Sequence, residues 1–266
     1  MEEQTSSEWQ APPPPERIQK GEPPQMSEVG TLGSIFFEPG RTFEDLRRKP
    51  RFVMAALIIA LLVMGYAIGL QYKVGESGMR SFISDQIEKN PRTSSLTSEQ
   101  KSNAVDLQMK ISGYTRYAIP IFILVSFLIG GLLYWGGSKA FGGDGGFLHG
   151  LSVFVYSSFP PAVVGMIANF IVMALKSADE IDLALSQRSL VNANLGFFVN
   201  GHSTPVLATL LGTFDLFSIW GWILAAIGLR ITYRLSSGSS WAVVIIIALI
   251  GVAFRVAGAF FSGNPS

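Results

Sequence analysis

Apolar residues crowd into five stretches of this chain, at about 52–70, 118–135, 151–175, 205–229 and 241–261. Each can cross a hydrocarbon core about 30 Å thick as a helix. Polar segments at 71–115 and 176–203 separate them. Inside a bilayer a backbone must satisfy its own polar groups, and a lone segment does so only as a helix. The pattern therefore predicts an all-α protein: a polytopic membrane helical bundle of about five transmembrane helices, preceded by a disordered N-terminal tail.

The stretches differ in their punctuation. The first, FVMAALIIALLVMGYAIGL, carries no charge, and Gly65 and Gly69 form a G-x-x-x-G pair that allows close helix contact, within the bundle or between copies. In the second, Pro120 is expected in the first turn, where its missing N–H costs little. The third carries Pro160 and Pro161 near its middle, which predicts a kink. Those prolines free the carbonyls of Tyr156 and Ser157. The hydroxyls of Tyr156, Ser157 and Ser158, or a neighbouring helix, are the available donors. A broken helix at mid-membrane is also how transporters build binding sites.

In the polar segment 71–115, Met79, Phe82, Ile83 and Ile87 recur at helical spacing. Thr97 and Gln100 then form a capping box ahead of Ala104, Leu107 and Ile111. Two helical segments outside the bilayer are expected, with their apolar faces packed on the membrane domain or on each other. The first of them is a candidate extension of the first span.

Residues 1–33 hold Pro12 to Pro15, Pro23 and Pro24 among Glu, Gln and Ser, too little apolar surface to offset ordering, and read as a cytoplasmic tail. Residues 34–51 suggest an amphipathic helix at the membrane surface. Thr42 and Asp45 match a capping box, Phe43 and Leu46 share a side, and Arg47, Arg48 and Lys49 lie beside anionic headgroups or simply set orientation.

Composition agrees with this picture. Of 266 residues 48% are hydrophobic and 15% charged, against about 25% charged in soluble domains. Net charge is +1, which gives no field for nucleic acid. With no cysteine there is no thiolate ligand, thiol nucleophile or disulfide, and two histidines do not make a histidine metal site. The glycine-rich turn at 141–146 lacks the G-K-[ST] ending of a phosphate loop, so no cofactor is expected. No paired carboxylates and no G-x-S-x-G elbow appear, so no enzyme is expected.

Two charges fall inside apolar stretches, Asp215 in the fourth and Arg255 in the fifth. Each costs roughly 2.5–3.5 kcal/mol at mid-bilayer. If the last two spans form a hairpin, Asp215 lies 17 residues before Thr232 and Arg255 lies 15 after Ser240. At about 1.5 Å per residue the two differ by about 3 Å in depth, so an ion pair is one expectation. Snorkelling by Arg255 and an ion path through Asp215 are the others. Lys and Arg are nearly balanced across the two sides, but Arg47, Arg48, Lys49 and Arg51 cluster at the first span. That predicts a cytoplasmic N-terminus in the cell membrane and, after five crossings, a C-terminus on the opposite side.

The stretch Phe214-Asp-Leu-Phe-Ser-Ile-Trp220, followed by Leu224-Ala-Ala-Ile-Gly-Leu229 in its L-x-x-I-G-L register, resembles a segment of the Yip (Ypt-interacting protein) membrane domain family, bacterial branch. GGDGGFLHGLSVFVYSSFP, from Gly142 to Pro160, is similar to that family's glycine loop and Y-S-x-x-P span, and Pro39, Phe43 and Pro50 fit its entry stretch. The similarity covers about residues 36–262. It implies a five-helix membrane domain with a cytoplasmic N-terminus. Eukaryotic members of the family it resembles bind Rab-type GTPases and carry an aspartate-leucine-x-glycine-proline stretch before the first span. This chain reads Phe37-Glu-Pro-Gly40 there, which puts GTPase binding in doubt. The function expected is a non-enzymatic scaffold or adaptor acting through lipid, a protein partner or a homo-oligomer. The rival is a small transporter or channel component that uses the kinked third span with Asp215 and Arg255. The residues singled out as structural candidates are Tyr156, Pro160, Pro161, Asp215, Trp220 and Arg255.

Overall fold

The structure, a computed structural model, describes residues 23–262 except 91, 92, 94, 187, 188, 192 and 202. The Pro12 to Pro15 run and His202 lie outside the described residues. Among those described, every regular element is helical: α1 (Glu28–Phe37), α2 (Pro39–Arg48), α3 (Val53–Lys89), α4 (Ser98–Ala140), α5 (Phe147–Leu175), α6 (Leu183–Ser186), α7 (Pro205–Thr213), α8 (Leu216–Thr232) and α9 (Ser237–Ser262). Two 3₁₀ turns, Ala178–Glu180 and Leu195–Phe198, lie between α5 and α7. α3, α5, α9 and the Tyr117–Ala140 part of α4 are long and apolar enough to cross a membrane; α7 and α8 make a fifth crossing if the bent pair is one span.

The centre of the bundle is α5, which packs on α3, α4 and α8. Glycine lets α4 and α5 touch backbone to backbone. A methyl group on Gly131 would stand 2.8 Å from the Leu151 Cα, and one on Gly150 would stand 2.6 Å from the Gly131 carbonyl oxygen. The turn joining them holds Gly142 at φ +80°, a conformation that favours glycine. A large apolar core gathers Phe43, Tyr156, Phe159, Leu229, Tyr233 and Val243. A smaller one joins Tyr66 and Leu70 to Ile181, Leu183 and Leu190.

Several boundaries differ from the pattern. The two helical segments expected in 71–115 are present, the first as the extension of the first span to Lys89; the second is also continuous with a span, since α4 begins at Ser98. Helical spacing continued through the change from apolar to polar residues, and the backbone followed the spacing. Gly75, at φ +73° and ψ −179°, is the one non-helical residue inside α3. The Thr97 and Gln100 capping box forms as expected. Pro120 lies well inside α4, not in a first turn. The expected fourth span is two helices, α7 and α8, bent by 44°. Both pack along α9, so they lie end to end on one side of the bundle.

The N-terminal region departs furthest. α1 begins at Glu28, inside the stretch expected as tail, with Ser27 accepting from the Gly30 amide as its cap. α2 starts at Pro39, with its cap at Glu38, so Thr42 and Asp45 do not form a capping box. The Thr42 hydroxyl instead donates to the Glu38 carbonyl. Phe43 and Leu46, expected against lipid, are fully buried in protein, because α2 lies across α8 and touches α5.

Candidate functional site: the seam of α5 and α8 under the N-terminal hairpin

Of the six residues singled out by the sequence, Tyr156, Pro160, Pro161 and Trp220 lie where α8 packs on α5, and Asp215 stands at the N-terminus of α8. Pro160 and Pro161 are buried there, and α5 continues as one helix through both. The serines do not serve the carbonyls that the prolines free. Ser157 Oγ and Ser158 Oγ both donate to the Phe154 carbonyl, at 3.0 and 2.8 Å. α8 offers glycine instead: a methyl on Gly221 would stand 3.5 Å from the Ser157 carbonyl oxygen and 3.7 Å from Pro161 Cγ. One turn earlier Phe217 lies over Gly165 of α5, 3.8 Å from where a β-carbon would be. The two helices exchange small residues and rings, which is how helices approach closely in lipid.

Asp215 occupies the break between α7 and α8. Its Oδ1 accepts from the Phe217 amide at 2.9 Å as the N-cap of α8, and its Oδ2 accepts from Asn194 Nδ2 at 3.4 Å. A carboxylate suits the positive end of the α8 dipole. The depth comparison with Arg255 assumed an unbroken fourth span, and the break removes that premise. Arg255 sits half-buried on α9. Asn194 Oδ1 also accepts from the Gly196 amide, and the Leu216 amide donates to the Ala193 carbonyl, so the loop after α6 is stitched to the break. On α5 the buried Asn169 does similar work, accepting from the Leu190 amide at 2.6 Å and from Ser189 Oγ at 3.1 Å, and donating to the Gly165 carbonyl.

The hairpin of α1 and α2 lies on the seam. Phe36 stands edge-on to Phe159 of α5 (centroids 5.9 Å apart) and to Trp220 of α8 (6.3 Å). Tyr156 and Thr31 share a hydrogen bond of 3.0 Å between buried hydroxyls. On α8, Gly228 receives Phe43: a methyl there would stand 2.8 Å from both Phe43 Cε1 and Val153 Cγ1. A buried ion pair closes the hairpin. Asp45, 1% exposed, pairs with Arg51, 9% exposed. Asp45 Oδ1 also accepts from the amides of Gln25 and Met26, and Arg51 Nη1 donates to the Met26 carbonyl at 2.7 Å. A buried pair survives desolvation only with such added hydrogen bonds.

The same end of the bundle holds the glycine-rich turn. His149 Nδ1 accepts from the Gly146 amide, so Nε2 carries the proton and donates to the Arg47 carbonyl at 3.1 Å, joining α5 to the end of α2. The Tyr233 hydroxyl donates to the Gly146 carbonyl at 2.9 Å, and the Asp144 amide donates to the Tyr233 carbonyl. Burial pushes the Tyr233 phenol well above its usual range, so it remains a donor at any physiological pH.

Asn169 and Asn194 escaped the sequence reading, which took Asp45 as a capping residue, Arg51 as part of a basic cluster and Gly228 as part of a motif, without the contacts they make here. A lone asparagine inside an apolar span was a usable signal for Asn169. Nothing local linked Asp45 to Arg51 across Pro50. Among the described residues no group of three or more His, Asp or Glu could hold a metal. A cleft of about 690 Å³ lies elsewhere, between α3 and residues 178–184, lined among others by Phe82, Asp85, Lys89 and Asp182.

The family model described as the Yip1 domain matches residues 33–259. The Bacillus subtilis (strain 168) protein named Membrane protein YknW is 26% identical over 239 residues, which cover 89% of this chain and 91% of that protein. No solved structure matches.

Proposed function

The chain belongs to the Yip1 domain family, a family of membrane proteins, and on that premise we propose that it is a non-enzymatic scaffold or adaptor of the cell membrane. The observation that carries the proposal is the seam. Its side-chain polar groups, at Asp215, Asn169, Tyr156 and Thr31, are engaged by other groups of the same chain, and its helices close through glycine against aromatic rings. Such a seam positions helices. What the molecule presents outward is surface: apolar flanks for lipid, and one end carrying Arg47, Arg48, Lys49, Lys139, Arg230 and Arg234. Collected near the ends of α2, α4 and α8, those cations support a cytoplasmic N-terminus and, with the bent pair counted as one span, a C-terminus across the membrane.

A second reading, a transporter component, is favoured by the helix break at Phe214 and Asp215. One experiment separates the two. Purified full-length protein is reconstituted in liposomes and assayed for proton and ion flux, in parallel with mass spectrometry of what purifies with it in mild detergent. The scaffold reading expects no flux and a reproducible lipid or protein companion. Flux that depends on Asp215 overturns it in favour of transport.

A further inference from the structure

We propose that the hairpin of α1 and α2 is a re-entrant element: α1 dips into the leaflet at the N-terminal end of α3 and sets Phe37 among its acyl chains. The partner is hydrocarbon, not headgroups. The inference rests on the membrane setting of the family and not on the scaffold reading.

Both ends of the hairpin are held at one place. Arg51 Nη1 donates to the Met26 carbonyl at 2.7 Å, and Asp45 accepts from the Gln25 and Met26 amides while it pairs with Arg51. The first span begins two residues later, at Val53. The chain therefore enters and leaves the hairpin at the mouth of α3. α1 is apolar but, at 10 residues, too short to cross. An apolar helix of that length in a membrane protein suits a re-entrant or interfacial segment.

Two spans measure how far it goes. Phe36 stands edge-on to Phe159 of α5 and to Trp220 of α8. Phe159 is ten residues beyond His149, at the polar end of α5, and Trp220 is ten residues before the exposed Arg230 of α8. At about 1.5 Å per residue both lie about 15 Å along their helices from that end. The hydrocarbon core is about 30 Å thick, so the tip of α1 reaches well inside one leaflet. The 10 residues of α1 span the same distance, about 15 Å.

Charge and hydrogen bonding follow depth. After Glu28, in the first turn, α1 carries no charge through Phe37. The next charges, Glu38 and Arg41, pair with each other at 3.2 Å. By Gly40 the chain has returned toward the surface, since a β-carbon there would stand 3.9 Å from Cδ1 of Ile231, the neighbour of Arg230. The Thr31 hydroxyl donates to the Glu28 carbonyl, and the Glu38 amide to the Ser34 carbonyl, so the segment satisfies itself as lipid requires. Phe37, its ring centroid 6.4 Å from that of Phe36, is 88% exposed. At that level the neighbour outside the bundle is hydrocarbon, continuous with the lipid that meets the exposed Leu61 of α3.

The chain has no cysteine, so single cysteines can carry a fluorophore in the full chain. Phe37→Cys is labelled and reconstituted in vesicles of phosphatidylcholine and phosphatidylglycerol. Leu61→Cys, eight residues past Val53, sets the standard for hydrocarbon, and the exposed Lys49→Cys sets that for water. Gly33→Cys, where a β-carbon meets nothing within 4 Å, gives a second reading one turn earlier on α1. A nitroxide on the lipid acyl chain is expected to quench the Phe37 and Gly33 labels several-fold more than the Lys49 label and about as strongly as the Leu61 label. Aqueous iodide is expected to give the reverse order. Iodide reaching Phe37 and Gly33 as it reaches Lys49, with Leu61 still quenched from lipid, overturns the proposal and leaves the membrane setting intact. Iodide reaching Leu61 as well overturns both. Protection of Phe37 from both quenchers shows protein over the ring and also overturns the proposal.

Discussion

Asp215 holds the amide of Phe217 with one oxygen and Asn194 with the other. A helix cap needs an acceptor, not a charge. Asp215→Asn is therefore expected to melt close to the wild type in detergent, whereas Asp215→Ala loses about 0.5–2 kcal/mol; an ion path would show the reverse sensitivity, with the asparagine variant losing flux. Asp45 and Arg51 are different, because both are charged and buried. Replacing Arg51 with Met strands the carboxylate and is expected to cost about 3–5 kcal/mol, read as a large fall in melting temperature. Adding Asp45→Asn to that variant is expected to restore part of the loss. A double-variant loss equal to the sum of the losses of Arg51→Met and Asp45→Asn made singly would show that the pair is not coupled. At Gly228 a side chain meets Phe43 and Val153 at once. Gly228→Leu overpacks the contact by about 1–3 kcal/mol or more, and limited proteolysis is expected to cut first within residues 28–48 as the hairpin lifts from α8.

The helices that matter most are those whose limits the hydropathy pattern did not mark. α3 and α4 carry their helical spacing out of the apolar zone, so each rises beyond the membrane, and an ion pair between Arg80 and Asp106 ties the two stalks together. Gly75 interrupts α3 in a backbone region open essentially to glycine alone. Gly75→Ala is expected to cost about 1–3 kcal/mol locally, seen as faster hydrogen exchange of the amides from Ser77 to Lys89, with the membrane part of α3 unchanged. The N-terminal hairpin shows why amphipathicity alone leaves the environment open. Phe43 and Leu46 form an apolar side that would suit lipid, but the glycines and prolines of α5 and α8 leave a seam of the right shape, and the rings enter it.

For the molecule as a whole, the number of crossings turns on the bent pair. Counted as one span, α7 and α8 bring the chain across the bilayer five times; treated as a re-entrant element they leave four. The packing of both halves along α9 favours five. Ser27→Cys and Ser262→Cys in otherwise cysteine-free chains are then expected to react with an impermeant thiol reagent from opposite faces of sealed vesicles. Labelling of both from one face would make the pair re-entrant and redraw the topology.

The amino-acid order alone determined the all-helical class, the membrane environment and the positions of the apolar segments, because each follows from local hydrophobicity and the need of a backbone in lipid to satisfy itself. It also marked Tyr156, Pro160, Pro161, Asp215 and Trp220 as unusual, since prolines, a charge and a patterned motif stand out against an apolar background. Tertiary structure decided what those residues do. The break at Asp215, the closing of Asp45 on Arg51, the fit of Phe43 over Gly228 and the engagement of Asn194 with Asp215 all join residues of different elements. Shape and hydrogen-bond geometry choose among such contacts, and neither is written in the local spacing of apolar and polar positions.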